Sequence, residues 1–521
     1  MKQSEGRRTV RTQVRLRIVV AVAAAASAVA CKKSESGRQV AAGLARDILV
    51  APGGGSVSFL QGAKHPADRA VPEDLLVGDL LLASTGGSGK AAFLGAGVTT
   101  LASARAFSPG GEWFAFLAQW RFREGEGELW LADASGAKRK IADGVSAMGW
   151  APSGSLLAFV SGSRLLLLDA SKEPPAPSLA LDGIQTFAWA PASNRLAGRG
   201  PAAAGGRIEL LEVGTGRLRE VAKASSDFAF GDDGALYVLG LPGPKGGDRA
   251  LAVVEAFDAS PREIGRATSF AASGRDVVLL STERRPGEAY GVLLRASRGA
   301  RGAEQLGDRV SDFRLSSRGE VVFLARYDAR ARAGALMTAA RGSAPREVAQ
   351  RVQSFTLQRD RVLYVAQAPQ KGDFRVELWT LPLDGSAAPR KVDEGVYGYQ
   401  LTPDGKDLLW KARCAGSARS CSLFQASADG SAPPRMLAAN VAGFDLSPDG
   451  SRILVQQPHH GAARAVDLAL VSREAPRSDG SVQVVASEVD PSSAFVDPRG
   501  RRIVYATMTA ARGGVFLLDV P

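Results

Sequence analysis

Two short copies of one pattern decide the fold: LSPDGSRILVQ, from Leu446 to Gln456, and LTPDGKDLLWK, from Leu401 to Lys411. In each copy a Pro-Asp-Gly segment, which favours a tight turn, is followed by apolar residues that favour a β-strand. Nine less regular copies occur, and successive copies begin 39 to 57 residues apart. These nine begin at Val50, Phe107, Trp150, Trp189, Phe230, Phe270, Leu315, Leu357 and Val496. The spacing is typical of four-stranded propeller blades.

The rest of each copy predicts two more strands. GELWLADA, from Gly127 to Ala134, has the pattern of a third strand, and PREVA, from Pro345 to Ala349, that of a fourth. We therefore expect an all-β β-propeller built from about eleven four-stranded blade repeats. Eleven exceeds the usual four to eight blades, so we expect two adjoining propellers, in residues 38–270 and 271–521, with one large ring as the alternative.

The sequences at the two ends of the chain predict how the last blade is completed. The last copy ends at Pro521 after its third strand, and GRQVAAGLARDILVAP, from Gly37 to Pro52, aligns with the stretch from Pro345 to Leu357. Residues Arg38 to Ala42 therefore have the pattern of a fourth strand without a blade of its own. We expect this strand to complete the last blade, because pairing there removes a free sheet edge.

The turn motif also carries a resemblance to a known family. Ser447-Pro448-Asp449-Gly450 and Thr402-Pro403-Asp404-Gly405 resemble the WD40-like SPDG repeats of TolB-type propellers, and the repeat pattern covers about 480 residues. The chain differs from TolB in having no separate α/β domain before the repeats. The resemblance implies a periplasmic or surface-exposed binding scaffold, and it identifies the blade without identifying a ligand.

The first thirty residues have the pattern of an export signal. Five arginines between Arg7 and Arg17 precede the uncharged stretch from Ile18 to Ala30, which is too short to span a bilayer as a helix. Ala28-Val29-Ala30 before Cys31 resembles the lipobox of bacterial lipoproteins. We expect a signal peptide in residues 1–30, a lipid on Cys31, a tether in 31–37, and an outer-membrane location facing the periplasm or the surface. An ordinary cleaved signal is the alternative.

The net charge argues against nucleic-acid binding, and the positions of the cysteines predict a disulfide. The net charge is +12, but six basic residues and one acidic residue in positions 1–30 contribute +5, which leaves about +7 for the rest. This excess is too small to indicate nucleic-acid binding. Cys414 and Cys421 are separated by a short loop between strand-like runs, so in an exported protein we expect a disulfide, with two free thiols as the alternative.

No motif of known catalytic chemistry occurs in the sequence. The nucleophile motif G-x-S-x-G is missing. The three histidines, His65, His459 and His460, do not form a zinc-ligand pattern, and we interpret the pair at 459–460 as a solvated loop. The sequence thus predicts no metal, no cofactor and no enzymatic activity.

Loops between the second and third strands of several blades are long and charged, and function commonly resides on such loops. We predict that this face binds an envelope protein or an anionic envelope polymer, as a non-catalytic, lipid-anchored scaffold. A propeller hydrolase or lyase with its site in the central channel is the alternative. The residues assigned to this face are Trp120, Arg121, Phe122, Arg123, Arg284, Arg285, Tyr327, Arg330 and Arg332.

Overall fold

We describe the protein from a computed structural model. The structure describes residues 37–66, 71–86, 90–191, 193–242, 247–282, 290–299, 302–367, 376–415, 420–461, 464–474, 482–508 and 513–520. The leader, Cys31, Arg284 and Arg285 lie outside these ranges.

The described chain consists of forty-two β-strands and two short 3₁₀ helices, Ala102–Ala104 and Ala202–Ala204, and contains no α-helix. The first half comprises β1 (Arg38–Ala42), β2 (Ala45–Val50), β3 (Ser56–Lys64), β4 (Val77–Ser84), β5 (Ala92–Thr99), β6 (Arg105–Phe107), β7 (Trp113–Arg121), β8 (Glu126–Asp133), β9 (Lys138–Trp150), β10 (Leu156–Ser161), β11 (Arg164–Asp169), β12 (Ser178–Asp182), β13 (Thr186–Trp189), β14 (Arg195–Arg199), β15 (Ile208–Glu212), β16 (Arg217–Ala222), β17 (Asp227–Phe230), β18 (Leu236–Leu239), β19 (Arg249–Val254) and β20 (Arg262–Ala267).

The second half continues with the same short strands and tight connections. It comprises β21 (Ser269–Ser273), β22 (Asp276–Ser281), β23 (Gly291–Ser297), β24 (Glu304–Val310), β25 (Asp312–Leu315), β26 (Val321–Asp328), β27 (Ala333–Ala339), β28 (Arg346–Gln358), β29 (Arg361–Gln367), β30 (Val376–Pro382), β31 (Arg390–Glu394), β32 (Gly398–Leu401), β33 (Asp407–Ala412), β34 (Cys421–Ser427), β35 (Arg435–Val441), β36 (Gly443–Leu446), β37 (Arg452–Pro458), β38 (Val466–Ser472), β39 (Val484–Val489), β40 (Phe495–Val496), β41 (Arg502–Ala506) and β42 (Gly514–Asp519).

These strands form eleven antiparallel four-stranded units, which we number in chain order. Units 2 and 3 share the long strand β9, and units 7 and 8 share β28, so each of these pairs forms one seven-stranded sheet. Unit 11 consists of β40, β41 and β42 together with β1, which pairs antiparallel with β42. The architecture is therefore all-β and propeller-like.

The turn between the first and second strands has the same hydrogen bonds in several units. In unit 10 the Ser447 hydroxyl donates to the Asp449 carboxylate at 2.5 Å and accepts from the Arg452 N–H at 2.9 Å. Thr402 and Asp404 make the equivalent contact in unit 9, at 2.6 Å. Gly405 and Gly450 have φ values of +75° and +72°, which side chains disfavour, so the Asp-Gly pair is required by the turn.

Buried apolar side chains hold consecutive units together. Among the described residues eleven separate clusters occur, and each contains residues from two neighbouring units. One cluster joins unit 5 to unit 6 through Tyr237 and Phe270, at the position where the sequence suggested a division. Another joins the last unit to the first through Val504 and Phe59. Because a four-stranded sheet buries little apolar surface alone, these contacts supply most of the core.

Alternating connections give each unit two distinct ends. The turns from first to second and from third to fourth strands lie at one end, which we call the turn face, and the remaining connections form the loop face. Neighbouring units contact each other through the same face. On the turn face, Arg473, after the third strand of unit 10, forms an ion pair with Asp404 in the first turn of unit 9. No helix in the described chain is long and apolar enough to cross a membrane.

Candidate functional site: a charged cavity on the turn face

A cavity of about 750 Å³ opens among the turns of units 7, 8 and 9. It is formed by the first turns of these units, at 316–320, 359–361 and 404–407, and by residues that follow the third strands of units 8 and 9. A cavity of this volume accommodates a small molecule or one end of an oligomer. Its charged lining residues are Arg318, Arg359, Arg361, Lys406, Glu320, Asp360, Asp404, Asp407 and Asp429.

Most of the carboxylates in the cavity are held by hydrogen bonds that maintain the turns. Asp404 accepts from the Thr402 hydroxyl at 2.6 Å and from Arg473 at 3.0 Å. Burial opposes ionisation of Asp404, but these hydrogen bonds outweigh it and lower its pKa to about 2. Asp407 accepts from Gln425 at 2.9 Å, and Glu320 accepts from the Ser316 hydroxyl.

Asp429 is held in the same way, at the turn after β34. It accepts from the Ser431 N–H at 2.8 Å and from the Ser427 hydroxyl at 2.8 Å. The Ser431 and Ser427 hydrogen bonds lower the pKa of Asp429 to about 2. Asp404 and Asp429 are consequently ionised at neutral pH, and their hydrogen bonds stabilise the turns.

Asp360 differs from the other carboxylates. It lies in the two-residue turn between β28 and β29, where Arg359-Asp360-Arg361 occupies the place of the Pro-Asp-Gly segment. Its side chain is exposed, and its carboxylate makes no hydrogen bond or ion pair with any other residue that the structure describes. A carboxylate that is not needed for the turn is available to accept a proton from a ligand.

The cationic side chains in the cavity make no direct ion pair with the carboxylates around them. Within the described ranges, Arg318, Arg359, Arg361 and Lys406 form no ion pair. Arg359 extends toward unit 9, where its Cδ lies 3.1 Å from the position that a Cβ on Gly405 would occupy. Hydrogen bonds from Ser386 lower the pKa of Asp384, and the charges of Arg318 and Arg361 lower it further. Arg318 and Arg361 therefore act on the same region of the turn face.

The loop-face residues that the sequence analysis assigned to binding lie in separate parts of the structure. Trp120 packs into the cluster between units 2 and 3, and Arg121 forms an ion pair with Glu126. Phe122 is half-buried and Arg123 is exposed in the same loop.

A second group of these residues belongs to unit 7, five units away. The Tyr327 ring lies 6.2 Å from that of Tyr290, and Arg330 and Arg332 are exposed beside it. Each group thus remains a predicted binding surface of its own.

The two cysteines are joined, which confirms the expected disulfide. Cys414 and Cys421 form a disulfide across the connection between β33 and β34, on the loop face. His459 is not the solvated residue that we expected, because its Nδ1 lies 2.8 Å from the Asp467 carboxylate. His65 is exposed, and His460 is exposed in the loop after β37.

Comparison with known proteins shows likeness in fold alone. No family model matches the chain, and no curated protein is similar to it in sequence. A eukaryotic initiation factor structure is 10% identical, covers 78% of this chain and 96% of its own, and superposes with a TM-score of 0.41. An oligogalacturonate lyase is 11% identical over 93% of this chain and 98% of its own, with a TM-score of 0.31. The enzyme of the same name from Vibrio parahaemolyticus is 8% identical over 93% and 99%, with a TM-score of 0.30.

These comparisons correct one prediction. We expected a non-catalytic scaffold, but two of the solved structures that match the chain, each along 93% of its length, are oligogalacturonate lyases. The prediction of a non-catalytic scaffold is therefore wrong. The predicted binding face consists of variable loops, whereas the cavity is built from the short turns of the opposite face.

Proposed function

We propose that this protein is an enzyme of the hydrolase or lyase class and that it acts on an anionic carbohydrate in the cavity of the turn face. The observation that carries this proposal is the Asp360 carboxylate, which makes no hydrogen bond or ion pair with a described residue and lies between Arg359 and Arg361 in the chain, neither of which forms an ion pair within the described ranges. Cations bind and stabilise negative charge on a substrate, while the carboxylate accepts a proton.

In both reaction classes Asp360 acts as the general base. In a lyase reaction Asp360 removes the proton next to the substrate carboxylate, a double bond forms, and the leaving group departs from the neighbouring carbon. Arg318 and Arg361 stabilise the negative charge that develops on that carboxylate. In a hydrolase reaction Asp360 instead takes a proton from the water that attacks the anomeric carbon, the bond from that carbon to the linking oxygen breaks, and the leaving oxygen gains a proton from solvent. The unsaturated product of elimination absorbs ultraviolet light, so product analysis distinguishes the two.

Replacement of both Arg318 and Arg361 by alanine is expected to reduce turnover strongly. The double variant Arg318→Ala/Arg361→Ala removes two charge-assisted contacts, each worth about 1.5–3 kcal/mol, so kcat/KM should fall at least 100-fold. Purified wild-type protein and the variant are incubated with oligogalacturonate, other uronic acid oligomers and neutral oligomers, and the products are quantified. The matched control, Arg330→Ala/Arg332→Ala, removes two exposed arginines from the loop face and should retain the wild-type rate. Equal rates for both double variants would exclude the cavity as the site.

We also propose that the eleven units form one closed ring, the alternative of the two arrangements predicted from sequence. A division into two propellers would leave units 5 and 6 without a shared core, whereas Tyr237 and Phe270 pack together between them with ring centroids 5.6 Å apart. The cluster between unit 11 and unit 1 and the pairing of β1 with β42 support closure at the chain ends.

A lipid anchor on Cys31 remains part of this proposal. β1 begins at the turn face, because Arg38 donates to the Thr85 carbonyl after the third strand of unit 1. Residues 31–36 span at most about 20 Å when fully extended. An acylated Cys31 would therefore hold the turn face, and with it the cavity, close to the membrane.

A further inference from the structure

Arg359 has an unfavourable backbone conformation in the turn that carries Asp360. Its φ is +55°, in the left-handed region. The favoured two-residue hairpin turns use this region at their first central residue, and glycine, asparagine or aspartate usually occupies it because larger side chains are strained there. In the corresponding turns of units 7 and 9, Gly319 and Gly405 adopt the left-handed region, with φ values of +87° and +75°. Unit 8 thus has a long charged side chain where the turns of its neighbours have glycine.

Contacts of the Arg359 side chain within the described chain do not offset this strain. The side chain is exposed, and its guanidinium forms no hydrogen bond or ion pair there. Other arginines with a left-handed backbone are engaged: Arg309 donates to the Tyr327 carbonyl at 2.9 Å, and Arg326 forms an ion pair with Glu347. Backbone strain of this kind concentrates at ligand-binding sites, where it fixes the point from which a side chain leaves the backbone.

The position of Arg359 adds a second observation, because its side chain crosses from unit 8 to the first turn of unit 9. A Cβ on Gly405 would lie 3.1 Å from Cδ and 3.9 Å from Nε of Arg359. The missing side chain at position 405 therefore leaves the space that the arginine occupies. This contact brings the cation to the part of the cavity that the turn 404–407 lines.

The charge of Arg361 acts in a different part of the same cavity. Asp384 and Asp429 follow the third strands of units 8 and 9, and hydrogen bonds from backbone N–H groups lower the pKa of both carboxyls. The charge of Arg361 lowers these two pKa values further, so Arg361 lies near the ends of the third strands. The cavity therefore has one cationic position beside the third strands and another, at Arg359, beside the first turn of unit 9.

We propose that Arg359 binds a second anionic group of the substrate, so that the cavity selects oligomers with two neighbouring anionic sugar units. This inference rests on the proposed function, in which Arg318 and Arg361 bind the first carboxylate. A guanidinium recognises a carboxylate through two parallel N–H donors. The cavity volume of about 750 Å³ lies in the upper part of the range of ligand pockets, about 300–1,000 Å³, and has room for more than one sugar unit.

Equilibrium binding of galacturonate and digalacturonate to the full chain tests this role. The measurements use the Asp360→Asn background, which retains every cation of the cavity and stops turnover during the titration. In this background the dimer should bind at least about 10-fold more tightly than the monomer. Adding Arg359→Asn should weaken dimer binding about 10-fold and change monomer binding less than about twofold. Arg359→Lys keeps the charge without the paired donors and should retain part of the preference.

Urea unfolding of the single variants gives a readout that needs no ligand. Arg359→Asn should raise the unfolding midpoint, because asparagine adopts the left-handed backbone with less strain, whereas Arg359→Lys should leave the midpoint unchanged. Arg332→Asn is the matched control, since Arg332 has a φ of +50° and is exposed on the loop face, away from the cavity. Its replacement should raise the midpoint in the same way and leave binding of both sugars unchanged.

The outcomes separate this role from the proposed activity. A preference for the dimer that survives Arg359→Asn, or equal weakening of monomer and dimer, would overturn the role of Arg359 even if the wild-type protein is an active enzyme. An unfolding midpoint that does not rise in Arg359→Asn would overturn the strain at this turn. Selective dimer binding that Arg359→Asn removes, in a protein whose wild-type form converts no sugar, would support Arg359 and overturn the enzymatic activity alone.

Discussion

Replacement of Asp360 by asparagine is expected to lower kcat on an anionic carbohydrate by about 100- to 10,000-fold, the usual contribution of a general base. Asparagine has nearly the same shape but cannot accept the proton. The Asp360 side chain makes no hydrogen bond or ion pair with another described residue that would be lost, so the fold should be unaffected. KM should change little, because Arg318, Arg361 and Lys406 remain to bind the substrate.

The control for this experiment is Asp143→Asn. Asp143 is 75% exposed and forms an ion pair with Lys140, far along the chain from the cavity. Its replacement removes one negative charge without touching the cavity lining, so turnover should equal that of the wild-type protein. A normal kcat in Asp360→Asn would show that this carboxylate takes no part in proton transfer.

Replacement of Trp410 by alanine is expected to reduce the free energy of unfolding by about 3–5 kcal/mol. Trp410 is fully buried in the cluster between units 8 and 9, and its ring stacks on that of Phe424 with centroids 5.8 Å apart. Its Nε1–H donates to Asp393 at 2.9 Å, so the substitution also leaves a carboxylate of unit 8 without this donor.

Urea unfolding followed by circular dichroism measures this effect. Tyr397→Ala provides the comparison, because Tyr397 is 51% exposed at the start of the same unit and its loss should cost less than about 0.5 kcal/mol. Equal stability of the two variants would mean that the cluster between units 8 and 9 contributes little to the fold.

Much of the fold could be predicted from turn chemistry and spacing. The Ser-Pro-Asp-Gly turn at 447–450 and the apolar run after it correspond to the turn between β36 and β37, with the hydroxyl of Ser447 closing the turn. The alignment of the segment after Gly37 with the fourth strand of unit 7 predicts a strand from Arg38 to Ala42, and β1 has these bounds. Local hydrogen bonds and strand periodicity suffice for such inferences.

The way in which neighbouring units join and pack could not be predicted from the sequence. The chain passes directly from the fourth strand of one unit to the first strand of the next in β9 and β28, each of 13 residues. In β28 no glycine or proline marks this continuation, and in β9 the pair Asp143-Gly144 lies within the strand although its sequence favours a turn. A four-stranded repeat therefore does not predict two seven-stranded sheets. The clusters that join every unit to its neighbour depend on side chains about 40 residues apart, which the repeat pattern does not pair.

The candidate site was missed because its residues occupy positions that we interpreted as turns. The copy LQRDRVLYVAQ, from Leu357, was treated as a weak repeat. Its Arg-Asp-Arg in place of Pro-Asp-Gly was the available signal, since a turn does not require three charged residues. Asp360 and its neighbouring arginines line one cavity with Arg318 and Lys406 only because units 7, 8 and 9 lie side by side.

Hydrogen–deuterium exchange in the presence and absence of the anionic oligomer that supports turnover, or of oligogalacturonate, tests the central claim most directly. The account predicts slower exchange at residues 316–320, 359–361 and 404–407 when the oligomer is bound, because these turns line the cavity. Exchange in the loop-face segments 119–128 and 325–334 should not change. Protection of those loops with unchanged exchange at the three turns would contradict the account and place the site on the opposite face.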